Sequence, residues 1–258
     1  MEDHESGQCS GGGLHVSWTT DTGRMRRNNE DACLALPEKG LLAVSDGMGG
    51  EFAGEVASRF VIQWLPRLLE RHVESVPDGD LGAVEEALRD VLNDLNHRLR
   101  SESSTLDGLN KMGATLTMFL VRRGHAHVAH LGDSRAYLCR AGRLTKLSHD
   151  HGVVGMLLEQ GVISLDEARC HPLRGQLSRY MGMGGNTKAE VATVELEDGD
   201  RLMLCTDGLT DGLSDQDIEG LLAAEQDLGS ACARLVEAAK HASGRDNITV
   251  VLAEWHGR

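Results

Sequence analysis

The sequence contains few aromatic residues, and its charged residues are mainly acidic. Only eight of its 258 residues are Phe, Tyr or Trp, and the formal net charge is −14. Such a chain lacks the stacking platforms and basic patches with which proteins bind nucleic acids and anionic membranes. No apolar run reaches the ~18 residues that a membrane-spanning helix needs. We therefore expect that its partners include neither nucleic acid nor a membrane.

Paired cysteines and a secretory leader are also missing. The six cysteines are scattered without a CxxC pair, which is typical of reduced thiols and disfavours a zinc site built from them. Residues 1–13 are acidic and glycine-rich, without the basic start and apolar stretch of a signal peptide. We interpret residues 1–13 as a flexible tail and residues 14–256 as a single domain, and we expect a cytoplasmic monomer.

Hydrophobic residues make up 40% of the chain, which is enough for a buried core. Their periodicity predicts strands over 14–20, 32–36, 40–45, 115–121, 125–131, 136–140, 191–196, 201–206 and 248–255, and helices over 54–69, 84–99 and 230–241. The three strands between 115 and 140 are expected to form successive antiparallel hairpins. Because helices and strands occur in blocks, the pattern predicts an α+β fold with antiparallel sheet. The least regular stretch, residues 148–189, is interpreted as a flap beside a site.

Acidic residues recur at the ends of predicted strands. Asp46 and Asp207 each precede a glycine after a strand, Asp133 follows another strand, and Asp246 precedes the last one. A single Asp-Gly pair is typical of a turn. Several carboxylates at rigid strand ends, however, could converge on an oxygen-only pocket that suits Mg²⁺ or Mn²⁺. The neighbouring glycine leaves its backbone carbonyl uncovered as a further ligand.

Five short segments in a fixed order carry a family resemblance. They are residues 26–31 (RRNNED), 44–50 (VSDGMGG), 132–135 (GDSR), 205–211 (CTDGLTD) and 244–249 (GRDNIT). Together they resemble the metal-dependent protein phosphatase family, the PP2C-like serine/threonine phosphatases, in its compact bacterial form. The resemblance extends from about residue 14 to residue 255. Residues 111–115 also resemble a family motif, for which a structural role is expected.

The resemblance implies a four-layer α-β-β-α fold, an antiparallel β-sandwich flanked by α-helices with a flap insertion. It also implies two Mn²⁺ or Mg²⁺ ions at one end of the sandwich. Asp46 would bridge both ions and the Gly47 carbonyl would bind one of them. Asp207 and Asp246 would hold the other ion.

The remaining site residues follow from the same resemblance. Asp133 and Asp211 match positions that hold a third, weaker metal ion in bacterial members. Glu30 and Asp31 are expected to act on the metals through water, and Arg26 is expected to grip the substrate phosphate. Asn247 is expected to orient Asp246 and its loop.

The function implied by the resemblance is hydrolysis of phosphoserine and phosphothreonine in proteins by a metal-activated water. The implied partners are phosphorylated proteins and a bacterial serine/threonine kinase that the enzyme opposes. An alternative is a catalytically weak phosphoprotein-binding regulator of the sigma-factor pathway type. The presence of every expected carboxylate disfavours that alternative.

Met48 departs from many eukaryotic relatives, which have a histidine two residues after the bridging aspartate. A thioether cannot donate a proton to the leaving group. The proton would then come from water or from a flap histidine, His149 or His151. The flap also carries basic residues that either receive acidic phosphopeptides or are ordinary solvated charges, namely Arg169, Arg174, Arg179 and Lys188.

Two other patterns are weighed and disfavoured. His125, His127 and His130 have the histidine spacing of the HxHxDH zinc motif, but alanine replaces its aspartate and a strand would point His130 away from the other two. Cys205 stands near Asp207, but the phosphate-binding loop that a cysteine phosphatase needs is absent. We interpret Cys205 as a small buried apolar residue.

Overall fold

Two antiparallel β-sheets stack face to face in the structure, a computed structural model that describes residues 4–49, 53–77, 79–105, 112–164, 167, 171–173 and 175–257. The first sheet has the spatial order β1 (His4–Gly11), β2 (Leu14–Asp21), β12 (Ile248–Trp255), β11 (Arg201–Cys205), β8 (Arg135–Arg140) and β9 (Arg143–Lys146). The second has the order β10 (Glu190–Glu195), β7 (His125–Leu131), β6 (Leu116–Arg122), β4 (Leu41–Met48) and β3 (Asp31–Leu36), and the short β5 (Gly113–Ala114) pairs with the end of β4.

Helices cover the outer face of each sheet. The second sheet is covered by α1 (Ala53–Val73) and α2 (Leu81–Thr105), and the first by α5 (Asp215–Ala224) and α6 (Leu228–Ala242). Two shorter helices, α3 (Val153–Glu159) and α4 (Asp207–Thr210), lie in connections, as does a 3₁₀ turn at Pro37–Lys39. The predicted four-layer α-β-β-α arrangement is confirmed.

Successive residues of the central strands pack on opposite faces of the sheet, and both faces are buried. In β4, Leu41 and Ala43 pack against the helices α1 and α2, whereas Leu42 and Val44 pack into the core between the sheets. A strand buried on both faces has a continuous apolar run rather than an alternating one. The run at residues 41–44 therefore belongs to a central strand.

Two helices extend further than the periodicity predicts. Helix α1 includes Pro66 and continues past its predicted end at residue 69 to Val73. Burial of Leu65, Leu68 and Leu69 against the second sheet offsets the hydrogen bond that Pro66 cannot donate. Helix α2 has fully buried apolar residues at the predicted helical spacing and extends beyond both predicted ends.

The prediction of successive hairpins between residues 115 and 140 is half right. Strands β6 and β7 form an antiparallel hairpin, but β7 and β8 lie in different sheets. The chain crosses between the sheets at Gly132, whose φ of 125° few other residues adopt. Thr117 Oγ1 donates to the Ser134 carbonyl at 3.0 Å and fixes the crossing. The turn places Asp133 at the end of the sandwich.

The prediction of a flexible tail over residues 1–13 is wrong where the structure describes it. Residues 4–11 form the edge strand β1, which pairs with β2 along its whole length. Glycine at position 7 leaves room for the Trp18 side chain of β2. This contact and the ladder hydrogen bonds order a segment that composition alone marks as mobile.

Helix α5 was also missed from the periodicity. Ser214 caps it, because the Ser214 hydroxyl accepts from the Asp217 amide and the Asp217 carboxylate accepts from the Ser214 amide. This capping box is visible in the sequence and could have predicted the helix start.

Two further features of the described residues concern their cysteines and their helices. Five cysteines are free, namely Cys9, Cys33, Cys139, Cys205 and Cys232, and Cys170 lies outside the described residues. None of the helices in the described part of the chain is long and apolar enough to cross a membrane.

Replacing Gly7 by Val tests the assignment of β1. A Cβ atom at position 7 would lie 2.2 Å from Trp18 Cζ2, so we expect Gly7→Val to lower the free energy of unfolding by about 1–3 kcal/mol. Urea unfolding measures the change. The matched control is Ser6→Val on the exposed face of the same strand. Equal stability of both variants and the wild-type protein would show that residues 4–11 are not ordered on β2.

Candidate active site

The predicted strand-end carboxylates converge on one cleft of about 760 Å³. Asp46 lies near the end of β4, Asp133 lies between β7 and β8, Asp207 opens α4 after β11, and Asp246 precedes β12. Since β11 and β12 are antiparallel neighbours, the last residue of β11 and the first residues of β12 lie at the same end of the sheet. Glu30 lines the same cleft.

Asp46 is held by a neighbouring threonine. The Asp46 amide donates to Thr115 Oγ1 at 2.8 Å, and the Thr115 amide donates to the Asp46 carbonyl at 2.8 Å. The Thr115 hydroxyl is also 2.7 Å from Ser134 Oγ, beside Asp133. Thr115 therefore ties two of the strand ends together, which agrees with the structural role expected for residues 111–115.

Gly47 allows the close backbone approach that the site requires. A Cβ atom at this position would lie 1.9 Å from the Gly54 carbonyl oxygen and 2.8 Å from the Glu30 carbonyl oxygen. The Gly47 amide donates to that Glu30 carbonyl at 3.1 Å. No larger residue fits here without moving the start of α1.

Asp31 lies behind the cleft, directly opposite Asp46 in the β3–β4 ladder. Its Oδ2 accepts from the hydroxyls of Thr206 and Thr249, at 2.8 and 2.7 Å. Burial raises the pKa of the Asp31 carboxyl to about 7. The roles of the two threonines were not predicted from the sequence. Only their positions in the motifs indicate them, since Thr206 precedes Asp207 and Thr249 lies two residues after Asn247.

Asn247 binds three residues of the loop between β2 and β3, which agrees with the orienting role expected from the sequence. Its Oδ1 accepts from the Glu30 amide at 2.8 Å, and its Nδ2 donates to the carbonyls of Thr22 and Asn28 at 2.9 and 3.0 Å. The Asn247 amide donates to Asp246 Oδ1 at 2.9 Å. The Asn247 side chain thus anchors the loop that carries Asp246, and the Asn247 backbone amide orients the Asp246 carboxylate.

The cleft concentrates negative charge on half-buried carboxylates. Burial and repulsion from neighbouring carboxylates raise the pKa values of Asp46 and Asp207 well above the ordinary range. Burial, with repulsion from Asp150, raises the pKa of Asp133 to about 7. Carboxylates packed this closely require a compensating positive charge.

Two buried carboxylate oxygens without a hydrogen-bond partner indicate which kind of ligand fits the cleft. Asp31 Oδ1 and Asp207 Oδ1 are buried without a hydrogen-bond partner, and such atoms are stabilised by a cation. Within the described residues, no three Asp, Glu, His or Cys side chains make a metal cage by themselves. Mg²⁺ needs only one or two carboxylates and keeps several waters. An open set of carboxylates with the Gly47 carbonyl therefore fits such an ion.

The other predicted residues differ in how they reach the cleft. Arg26 lines it and donates from Nη2 to Asp246 Oδ2 at 2.7 Å. Asp211 is exposed at the end of α4 and does not line the cleft, although its charge contributes to the raised pKa of Asp133. Met25 and Arg27 line the cleft and were missed in the sequence.

The side chains of the two disfavoured patterns lie outside the cleft and contact other groups of the protein. His127 Nδ1 lies 2.9 Å from Thr193 Oγ1, and His130 Nδ1 lies 2.8 Å from Thr117 Oγ1. Burial lowers the pKa values of these histidines to about 4 and about 3. Burial raises the pKa of Cys205 to about 12, which makes it a poor nucleophile.

Met48 lines the cleft, whereas neither flap histidine does. The His149 side chain is exposed, with Nδ1 3.2 Å from Glu190 Oε2. His151 is buried, with Nε2 3.0 Å from Glu190 Oε1, and its Nδ1 accepts from the Gly132 amide. This placement contradicts the flap-histidine alternative, so water remains the predicted proton source.

The flap lies beside the cleft and is tied to the second sheet through Glu190. Residues 175 and 177 line the cleft, and the Ser178 amide donates to the His151 carbonyl at 2.7 Å. Arg179 Nη2 lies 3.4 Å from Glu190 Oε1, and Arg179 also donates to the Lys188 carbonyl. Both ends of the flap therefore meet at one carboxylate. Arg169 and Arg174 lie outside the described residues.

Comparisons with known proteins decide the family. The sequence pattern of the family described as Protein phosphatase 2C matches residues 23–253. The chain belongs to the protein phosphatase 2C family. It is 32% identical over 244 residues to the serine/threonine phosphatase stp of Listeria welshimeri, covering 93% of this chain and 96% of that protein. The family resemblance, its compact bacterial type and the α+β fold are thus confirmed.

Two further relatives extend the comparison. The serine/threonine protein phosphatase PstP of Mycobacterium tuberculosis is 38% identical over 241 residues, which cover 93% of this chain and 45% of that protein. A crystal structure of the catalytic domain of PstP in complex with two manganese ions superposes with a TM-score of 0.79 at 34% identity. The match covers 95% of this chain and 99% of that structure.

Replacing Asp207 by Asn tests the cation fit without an activity assay. Saturating Mn²⁺ should raise the Tm of the wild-type protein by about 5–10 °C, because ligand binding stabilises the folded state. Asp207→Asn should lose this shift and raise the metal-free Tm, since it removes one buried repelling charge. Differential scanning fluorimetry measures both, with Asp90→Asn on the exposed face of α2 as the control. A wild-type Tm that Mn²⁺ leaves unchanged contradicts the fit.

Replacing Glu190 by Gln tests the attachment of the flap. The loss of about 1 kcal/mol of local stability should speed amide exchange in residues 150–154 and 176–179 by about fivefold. Hydrogen–deuterium exchange with mass spectrometry reports it, and Glu195→Gln on the same strand is the control. Exchange that is equal in the wild-type protein and Glu190→Gln would show that Glu190 does not hold the flap.

Proposed function

We propose that this protein hydrolyses phosphoserine and phosphothreonine in proteins. The observation that carries the proposal is the convergence of five acidic side chains and Arg26 on a single cleft, with an orphaned buried carboxylate oxygen on Asp207. An oxygen-rich cleft of this kind suits hard divalent cations, and Arg26 suits a phosphate. The relatives named as serine/threonine phosphatases support the same activity.

The proposed ligands are two Mn²⁺ or Mg²⁺ ions. Asp46 and the Gly47 carbonyl would hold one ion, and Asp207 and Asp246 would hold the other. Bound there, the ions would supply a hydroxide near neutral pH and positive charge at the phosphoryl oxygens. A third, weaker ion would be held near Asp133, with Asp211 beside it.

The chain's own residues bind and orient the substrate. The Arg26 guanidinium has five N–H donors, so its bond to Asp246 leaves others free for two phosphoryl oxygens. Asp31 accepts hydrogen bonds behind the cleft and Glu30 lines it, and both would orient water. The Asn247 amide holds Asp246 in place.

We further propose that the enzyme acts in the cytoplasm as a monomer and opposes a serine/threonine kinase. The bacterial source of the named relatives supports this setting.

Hydrolysis of a phosphothreonine peptide tests the proposed function. With Mn²⁺ or Mg²⁺ the wild-type protein should release phosphate, and EDTA should abolish the release. Asp46→Asn should lower kcat/KM by about 100-fold or more, beyond the 10–100-fold typical of residues that only support a ligand. The exposed Asp90→Asn should retain the wild-type rate.

Two outcomes would count against the proposal. If Asp46→Asn keeps the wild-type rate, the cleft is not where the reaction occurs. If the wild-type protein binds the phosphopeptide but releases no phosphate with either metal, it is a phosphoprotein-binding regulator instead.

A further inference from the structure

Two loops at the edge of the cleft, before β3 and before β12, carry exposed arginines in an otherwise acidic chain. Residues 22–28 include three arginines and no acidic residue, although Lys and Arg account for only 26 of the 258 residues. Arg245 adds a fourth from the loop before β12. The side chains of Arg24, Arg27 and Arg245 are all exposed, and these three residues are called the basic rim.

The two loops that carry the basic rim are joined to each other. The Arg24 amide donates to the Gly244 carbonyl at 2.8 Å. Asn247 Nδ2 reaches back to the carbonyls of Thr22 and Asn28. The loops therefore keep a fixed position relative to Asp246, at the edge of the cleft.

The charge of the basic rim is not neutralised by the protein. Arg26 is committed to Asp246, but Arg27 lines the cleft without an ion pair or side-chain hydrogen bond to any described residue. The Arg24 guanidinium contacts His241, which is not an acid. The nearby Asp21 is buried and paired with Lys240.

Among the described basic residues of the flap, Arg179 is already bound by other groups of the protein. The Arg179 guanidinium contacts Glu190 and the Lys188 carbonyl. Arg27 is therefore better placed than Arg179 to receive an external acid.

We propose that the basic rim binds acidic side chains that flank the phosphorylated residue, so that acidic phosphopeptides are the preferred substrates. This inference rests on the proposed function for the phosphate itself. Charge complementarity of this kind raises association rates and selects partners. Each exposed ion pair contributes little, so the arginines act together. Because exposed charges are screened, the preference must weaken as salt increases.

Two peptides with the same central phosphothreonine test the proposal. In one the flanking positions are Asp and Glu, and in the other they are Asn and Gln. At 50 mM NaCl with Mn²⁺, the wild-type protein should favour the acidic peptide by about fivefold in kcat/KM, and the ratio should approach one at 500 mM. Arg27→Gln should lower the ratio, and Arg27→Glu combined with Arg245→Glu should invert it.

The control is Arg143→Glu, which changes the charge as much as Arg27→Glu alone, at an exposed residue at the far end of β8 and β9. It should keep the wild-type ratio. Peptide Kd values from fluorescence anisotropy should show the same preference, and they report on the basic rim even in a protein without turnover. Equal Kd values for the two peptides, or an equal effect of Arg143→Glu and Arg27→Glu, would overturn the proposal. Absence of turnover with a retained Kd preference would overturn only the proposed phosphatase activity.

Discussion

Repulsion among carboxylates at one end of the sandwich is the constraint around which the site is built. Asp46, Asp133 and Asp207 are half-buried in the same cleft, and desolvation and repulsion from neighbouring carboxylates raise their pKa values. Placing them there costs stability unless a cation compensates. The surrounding hydrogen bonds are those that hold carboxylates in position against this repulsion. A rigid β-sandwich suits the task, because its strand ends cannot move apart.

The same constraint explains the neutral polar residues behind the cleft. Thr206 and Thr249 hold Asp31, and Thr115 holds the backbone of Asp46. Asn247 joins the loops that carry Glu30 and Asp246. These side chains add hydrogen bonds without adding charge. They orient the acids while leaving the inward-facing oxygens free for ligands.

The sequence predicted the elements with strong periodicity and the residues within motifs. The core of α2, nine of the twelve described strands and the carboxylates of the cleft lie where they were expected. The missed features depend on contacts between distant segments. Strand β1 is ordered by pairing with β2, and the crossing at Gly132 separates β7 from β8. Residues on loops, such as Arg27, have no periodic signal and acquire their position only from the fold.

Diffraction from a crystal soaked in Mn²⁺, recorded at a wavelength where manganese scatters anomalously, shows whether the carboxylates of the cleft hold metal ions. We predict two strong anomalous peaks at the end of the sandwich, between Asp46, the Gly47 carbonyl, Asp207 and Asp246. An absence of peaks in the cleft, or peaks at His125, His127 and His130 instead, would contradict this prediction.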